Sequence, residues 1–163
     1  MKLKFVFLTV FLLSLSLSSF SQGNSNDEID AIVTLLGAQK RDLVKELVNI
    51  TPKDSAAFWK VYTAFEQDMK KFRKERIQNY EKFAKAYSNM DDKTADELAK
   101  SLFSNRAGQE KLFEDYYGKM KAATNASLAI QFYQCEIYYL TLARANIMQQ
   151  LPAYGQVLKQ QKK

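Results

Sequence analysis

The stretch that decides the fold is Ile50-Thr51-Pro52-Lys53-Asp54, which is followed by an aromatic series that opens with Phe58-Trp59. Thr51 suits an N-cap, because its hydroxyl can accept from the backbone N–H of Asp54 while the Asp54 carboxylate accepts from the N–H of Thr51. Pro52 suits the first helical position, where its missing N–H costs nothing. The stretch therefore predicts a helix that begins at Pro52.

This second helix of the chain is predicted to continue to about Asn89. Large apolar residues recur along it at spacings of three and four, except around Arg76, where the repeat gains a residue and the apolar stripe drifts around the helix. The stripe consists of Phe58, Tyr62, Phe65, Met69, Phe72, Tyr80, Phe83, Tyr87 and Met90. A helix of this length would measure about 55 Å, which favours an extended hairpin over a compact globule.

Two further helices flank the long one. Helix one is predicted over about Asp27 to Asn49, and helix three starts after the turn Asp91-Asp92-Lys93-Thr94. The middle of helix three, residues 104–109, is polar where its stripe should be apolar. This pattern predicts either a kink or an open stretch of groove.

Helix four is predicted from a cap at Thr124 or Asn125 to about Gln150, and the tail 153–163 is predicted to be mobile. Two opposite faces of helix four are apolar, which is typical of a helix buried on both sides. One face carries Leu128, Phe132, Cys135, Tyr139 and Leu142, and the other carries Ile130, Tyr133, Ile137, Leu140, Ile147 and Leu151. The second face meets either another subunit or the rest of a monomeric bundle.

The first 21 residues predict a secretory signal peptide. A basic start is followed by an apolar run that is too short to span a bilayer, and small residues precede Gln22. We therefore expect a mature chain of residues 22–163 that forms a single domain in the periplasm or outside the cell. Without the two signal-peptide lysines the net charge falls from +6 to +4, which is a mild excess and predicts no nucleic-acid partner.

Composition argues against catalysis. The chain has no histidine, one cysteine and five scattered glycines, so histidine-based triads, histidine metal sites and glycine-rich phosphate loops are excluded. We expect no enzyme activity, no cofactor and no small-molecule substrate. Cys135 is either buried or bridges two subunits, with burial favoured by its place on an apolar stripe. Glu66 and Glu136 form a remote candidate carboxylate pair for metal in a helical bundle.

Several motifs resemble the Spy/CpxP-like periplasmic proteins, and most closely their uncharacterised secreted relatives. Thr51-Pro52 followed by Phe58-Trp59 and Tyr62 matches the first helix-opening motif of that family. Phe132-Tyr133-Gln134-x-Glu136 and Gln150-Leu151-Pro152 extend the resemblance over about residues 43–152.

The resemblance implies an all-α, four-helix extended hairpin that dimerises into a curved cradle. It also implies an ATP-independent chaperone-like or envelope-stress-sensing protein whose partners are unfolded or partly folded proteins. The alternative is an accessory regulator that docks to a single membrane stress sensor. Candidate contact residues for a client or partner are Trp59, Lys60, Lys70, Lys71, Arg73, Lys74 and Lys82. Residues assigned to the motifs and the structure are Thr51, Pro52, Asp54, Phe58, Tyr62, Phe65, Phe132 and Glu136.

Overall fold

A computed structural model describes residues 40–150 and 153–161, and this part of the chain is helical without a strand. The helices are α1 (residues 40–47), α2 (Ser55–Ala86), α3 (Asp92–Ala123), α4 (Ala126–Gln150) and α5 (Tyr154–Gln161). The all-α prediction is confirmed. The predicted signal peptide and residues 27–39 of the predicted helix one lie outside the described residues.

The start of the long helix differs from the prediction. Helix α2 begins at Ser55, three residues later than expected, and residues 52–54 form a turn before it. The Thr51 hydroxyl does accept from the Asp54 N–H, at 3.3 Å. It also donates to the Asp54 carboxylate at 2.8 Å, so the carboxylate binds this hydroxyl instead of reaching the backbone N–H of Thr51.

The cap of α4 follows the sequence signal, whereas α3 begins at Asp92, inside the stretch 91–94 that was predicted to be a turn before it. The Asp91 carboxylate accepts from the Thr94 N–H at 2.7 Å and starts α3. Asn125, rather than Thr124, caps α4, because its side-chain oxygen accepts from the Leu128 N–H at 2.9 Å. The Thr124 hydroxyl instead donates to a carbonyl at the end of α3. The side-chain oxygens of Asp91 and Asn125 thus each satisfy one of the N–H groups that a helix start leaves unpaired.

Helix α3 runs unbroken through its polar middle, where Asn105 and Gln109 are buried while Ser104 and Arg106 are exposed, so this stretch does not form an open groove. The Asn105 amide donates to the Phe72 carbonyl and to the Glu75 carboxylate, both at 3.0 Å. Gln109 in turn donates to Asn105 at 3.3 Å. At Gly108 an added Cβ would lie 2.4 Å from Phe72 Cε1. The polar residues therefore form a hydrogen-bonded layer, and the glycine lets the two helices approach closely.

The core is built mainly from aromatic side chains of α2, α3 and α4. Helix α2 packs along α3, and α3 packs along α4. Phe65 lies at the centre: its ring is 5.1 Å from that of Phe132, 5.3 Å from that of Tyr116 and 5.8 Å from that of Phe113. Apolar residues of α1 and of the turn after it join this core, which also includes Phe58, Tyr62, Met69, Met120, Leu128, Val44 and Val48.

The end of the chain contains a short helix, and the predicted mobility of this tail stays a prediction. The tail 153–163, expected to be mobile, contains helix α5 over Tyr154–Gln161. No helix within residues 40–150 and 153–161 has the length and apolar character needed to cross a membrane.

Candidate functional site

A cluster of buried charges joins α1, α2 and α4, and we call Lys40, Glu66, Arg73 and Glu136 the ionic cluster. The Lys40 side chain is 1% exposed; its ammonium donates to Glu66 Oε1 at 2.6 Å and to Glu136 Oε2. Arg73 donates to both oxygens of Glu66, at 2.8 and 2.7 Å. A bidentate guanidinium–carboxylate pair is among the strongest charge-assisted arrangements in proteins.

Aromatic rings surround the ammonium of Lys40. It lies 5.1 Å from the ring centroid of Phe65, 5.4 Å from that of Tyr139 and 5.7 Å from that of Tyr62. Such rings attract a cation that has lost its water, which partly offsets the cost of burying it. The ionic cluster therefore fixes α1 against α2 and α4.

The two carboxylates of the ionic cluster differ in pKa. Burial alone would raise the pKa of Glu66, but the hydrogen bonds from Arg73 and the charge of Lys40 outweigh it and hold the pKa below its usual value. Burial raises the pKa of Glu136, and Lys40 offsets only part of that effect. Glu136 Oε1 and the Tyr62 hydroxyl have no hydrogen-bond partner within the described part of the chain. Glu136 is thus the most weakly compensated charge of the cluster.

The structure brings Glu66 and Glu136 together, as a metal site would need, but the ammonium of Lys40 binds both of them. A third carboxylate, cysteine or histidine does not join them: residues 40–150 and 153–161 contain no group of three or more such side chains placed to hold a metal ion. The arrangement is thus that of a structural ion-pair network.

Further cations lie beyond the ionic cluster. Nε and Nη1 of Arg76 are buried without a hydrogen-bond partner in the described chain. Burial, followed by the charges of Arg144 and Arg73, lowers the pKa of Arg76 to about 10. Arg144 itself donates to Gln109 at 3.4 Å.

The lysines predicted to contact a client lie on α2 with different exposures. Lys60, Lys70, Lys71 and Lys82 are exposed, and Lys74 is half-buried. Arg73 was expected on the same solvated face, and this expectation is wrong: it is 7% exposed, because its guanidinium turns inward to Glu66.

Trp59 is half-buried and packs against the core. The guanidinium carbon of Arg41 lies 4.3 Å from its ring centroid, and Phe58 meets it edge to face at 5.2 Å. Since Phe58 is fully buried, the adjacent Trp59 faces α1. Of the remaining motif residues, Tyr62, Phe65 and Phe132 lie in the core, Glu136 lies in the ionic cluster, and Thr51, Pro52 and Asp54 form the turn before α2.

Helix four has one exposed side, which we call the outer face of α4. Sequence patterning predicted two opposite apolar faces, but the core covers a wide arc that takes in Leu140 and most of Tyr133 and Ile137. The outer face consists of Ala126, Ser127, Ile130, Gln134, Tyr138, Thr141, Leu142, Ala145, Asn146, Met148 and Gln149. None of these residues is charged, although 26% of the chain is. The sequence pattern predicts the outer face only in part, because it places Leu142 on the same face as Leu128 and Phe132, which pack into the core.

A groove between α3 and α4 adjoins the outer face at Ile130. It encloses about 300 Å³ and is lined by Glu110, Phe113, Glu114, Tyr117, Ile130 and Tyr133. No pattern in the sequence indicates this groove, because its residues come from two helices whose relative rotation is set by packing. We call this feature the α3–α4 groove.

Cys135 is buried in the core, and burial raises the pKa of its thiol to about 11. This is the placement that the sequence favoured over a bridge between subunits. A buried thiol with a raised pKa holds little thiolate near neutral pH, so Cys135 is suited to packing rather than to chemistry.

Comparison of the chain with protein-family models, with curated proteins and with solved structures finds no match. The resemblance to the Spy/CpxP-like proteins therefore rests on the motifs quoted above, and it stays a prediction.

Proposed function

We propose that the protein is an exported, non-enzymatic binding protein that holds unfolded or partly folded chains in a chaperone-like manner. The outer face of α4 is the observation that carries this proposal. On it Ile130, Tyr138, Leu142 and Met148 are between 45% and 58% exposed, and no charge interrupts them. Depletion of charge together with aromatic and methionine side chains is the compositional mark of the centre of a protein interface.

The lysines of α2 have a separate role in this proposal. They lie on another helix from the exposed apolar residues, so they contribute long-range attraction rather than the contact itself. Exposed charges of one sign speed the encounter with oppositely charged partners, and salt screens them over about 8–10 Å. Apolar contact on α4 then slows release.

The resemblance supports the remaining parts of the proposal. It adds a cleaved signal peptide before Gln22, periplasmic or secreted localisation, and an extended hairpin that dimerises into a cradle. Light scattering on residues 22–163 tests the dimer. A dimer in which Tyr138 and Leu142 become protected would assign the outer face of α4 to self-association and would overturn the client-holding role.

Aggregation of two unrelated unfolded substrates, followed with and without residues 22–163, tests the function. The wild type should protect both, whereas Tyr138→Gln with Leu142→Gln should lose most of the protection. The matched control is Phe103→Gln, since Phe103 is a 71% exposed aromatic that lies on α3. Helicity measured in parallel shows that each variant remains folded.

The outcomes separate the two functional classes. Equal protection by the wild type and the α4 variant would refute the role of the outer face. Protection of neither substrate, combined with tight binding to one envelope sensor, would favour the dedicated regulator instead. Replacing Lys70 and Lys71 with glutamine should slow capture and reduce its salt dependence, without changing the amount of substrate finally held.

A further inference from the structure

The α3–α4 groove combines aromatic walls with a carboxylate rim. Phe113, Tyr117 and Tyr133 supply three of its six lining residues, and Ile130 adds an aliphatic surface. The rings of Phe113 and Tyr133 meet edge to face with centroids 5.9 Å apart. Glu110 and Glu114 lie on the exposed side of α3, one turn apart. Aromatic rings next to carboxylates form the kind of environment that binds organic cations.

The carboxylates beside the groove are only partly neutralised. Lys111 binds Glu114 at 3.1 Å and Asp115 at 2.9 Å, so one ammonium serves two carboxylates. Glu110 makes no ion pair within the described residues. Of the two carboxylates that line the groove, Glu114 is therefore paired with a lysine and Glu110 is not.

We propose that the α3–α4 groove binds a lysine or arginine side chain of a polypeptide held on the adjacent outer face of α4. The aliphatic stem of that side chain packs on Ile130 and Phe113, and its charge lies beside Tyr117, Tyr133 and Glu110. This inference rests on the proposed function and specifies its partner: segments in which a basic residue is flanked by apolar ones.

Size and charge argue for this occupant over others. A volume of about 300 Å³ lies at the lower limit of small-molecule pockets, which suits a single side chain better than a whole ligand. An acidic side chain would be repelled by Glu110 and Glu114. A purely apolar side chain would fill the groove but would leave the two carboxylates partly desolvated without a partner.

The experiment uses residues 22–163 and short capped peptides with one central lysine flanked by leucines. In matched peptides the lysine is replaced by norleucine or by glutamate, and binding is measured by fluorescence anisotropy. The lysine peptide should bind tightest and the glutamate peptide weakest. Glu110→Gln should lower the affinity for the lysine peptide about threefold to tenfold. This is the range expected for one half-exposed charge pair with an aromatic contact. The same substitution should not weaken binding of the norleucine peptide, because that peptide leaves the Glu110 charge without a partner.

Three further variants separate the groove from general surface charge and from folding. Glu97→Gln removes an exposed carboxylate from the same helix, away from the groove, and should not change peptide preference. Tyr117→Leu should lower the affinity for the lysine peptide more than the affinity for the norleucine peptide. Tyr117→Phe should keep the preference for the lysine peptide, because the ring rather than the hydroxyl attracts the cation.

The results distinguish this inference from the function on which it rests. Equal affinity for the lysine and glutamate peptides would overturn the groove assignment, and so would equal effects of Glu110→Gln and Glu97→Gln; client protection by the outer face of α4 would then still stand. If no peptide binds and no substrate is protected, the proposed function fails and the groove assignment fails with it.

Discussion

Replacing Lys40 with methionine should be among the most damaging single changes in this fold. The substitution keeps the approximate length of the side chain and removes the ammonium that binds both Glu66 and Glu136. Glu66 keeps its bidentate partner Arg73, so most of the damage falls on Glu136, which is 3% exposed. Removing one partner of a buried pair typically costs about 3–5 kcal/mol, because the other charge is left uncompensated.

The magnitude is large enough for thermal unfolding to measure. With about 4 °C lost per kcal/mol in a domain of this size, the melting temperature of Lys40→Met should fall by roughly 12–20 °C. Lys40→Met combined with Glu136→Met should recover most of the loss, since replacing both partners of a buried pair with apolar residues is often close to neutral. A control at Lys45, whose ammonium is exposed and pairs only with Asp42, should change stability by less than about 1 kcal/mol when mutated to methionine.

The pH dependence of the Lys40→Met variant gives a second readout. Without the ammonium, the folded-state pKa of Glu136 should rise further above its ordinary 4.5. A carboxyl group whose folded pKa exceeds its unfolded pKa stabilises the fold at low pH, and that contribution is lost as the pH rises through the folded pKa. The variant should therefore gain stability between pH 7 and about pH 5 relative to the wild type. If Lys40→Met melts with the wild type, or if the double variant is no more stable than the single one, the ionic cluster does not stabilise the fold as argued.

Three further experiments test other parts of the fold. Thr51→Ala should lower the free energy of unfolding by about 1 kcal/mol, because the Asp54 N–H loses its acceptor; an unchanged urea midpoint would contradict this role. Gly108→Ala should destabilise by roughly 1–3 kcal/mol, since its Cβ would lie 2.4 Å from the Phe72 ring, and the accompanying change Phe72→Leu should relieve part of the cost. Cys135 should react with a thiol reagent at pH 8 only as fast as the protein opens, because burial raises its pKa to about 11; rapid labelling of the folded protein would refute its burial.

Local signals in the sequence determined where α4 begins and which aromatic residues of α2 lie in the core. Caps and helical periodicity depend on residues only a few positions apart, so they can be recognised without knowing the fold. Asn125 and the stripe of Phe58, Tyr62 and Phe65 are cases in which this reasoning was confirmed. The predicted start of α2 at Pro52 was three residues too early. The Asp54 carboxylate accepts from the Thr51 hydroxyl instead of from the backbone N–H of Thr51.

Only the tertiary structure shows which of the charged residues on these helices are buried and with which partners they pair. Arg73 belongs by sequence to a solvated basic run, yet it is buried because Glu66 lies two turns before it on the same side of α2. Lys40 and Glu136 are 96 positions apart, and only the packing of α1 against α4 makes them a pair. The charge-free outer face of α4 likewise depends on which part of that helix its neighbours cover. Periodicity identifies the residues that can be buried, whereas their partners are set by how the helices pack, which no local pattern encodes.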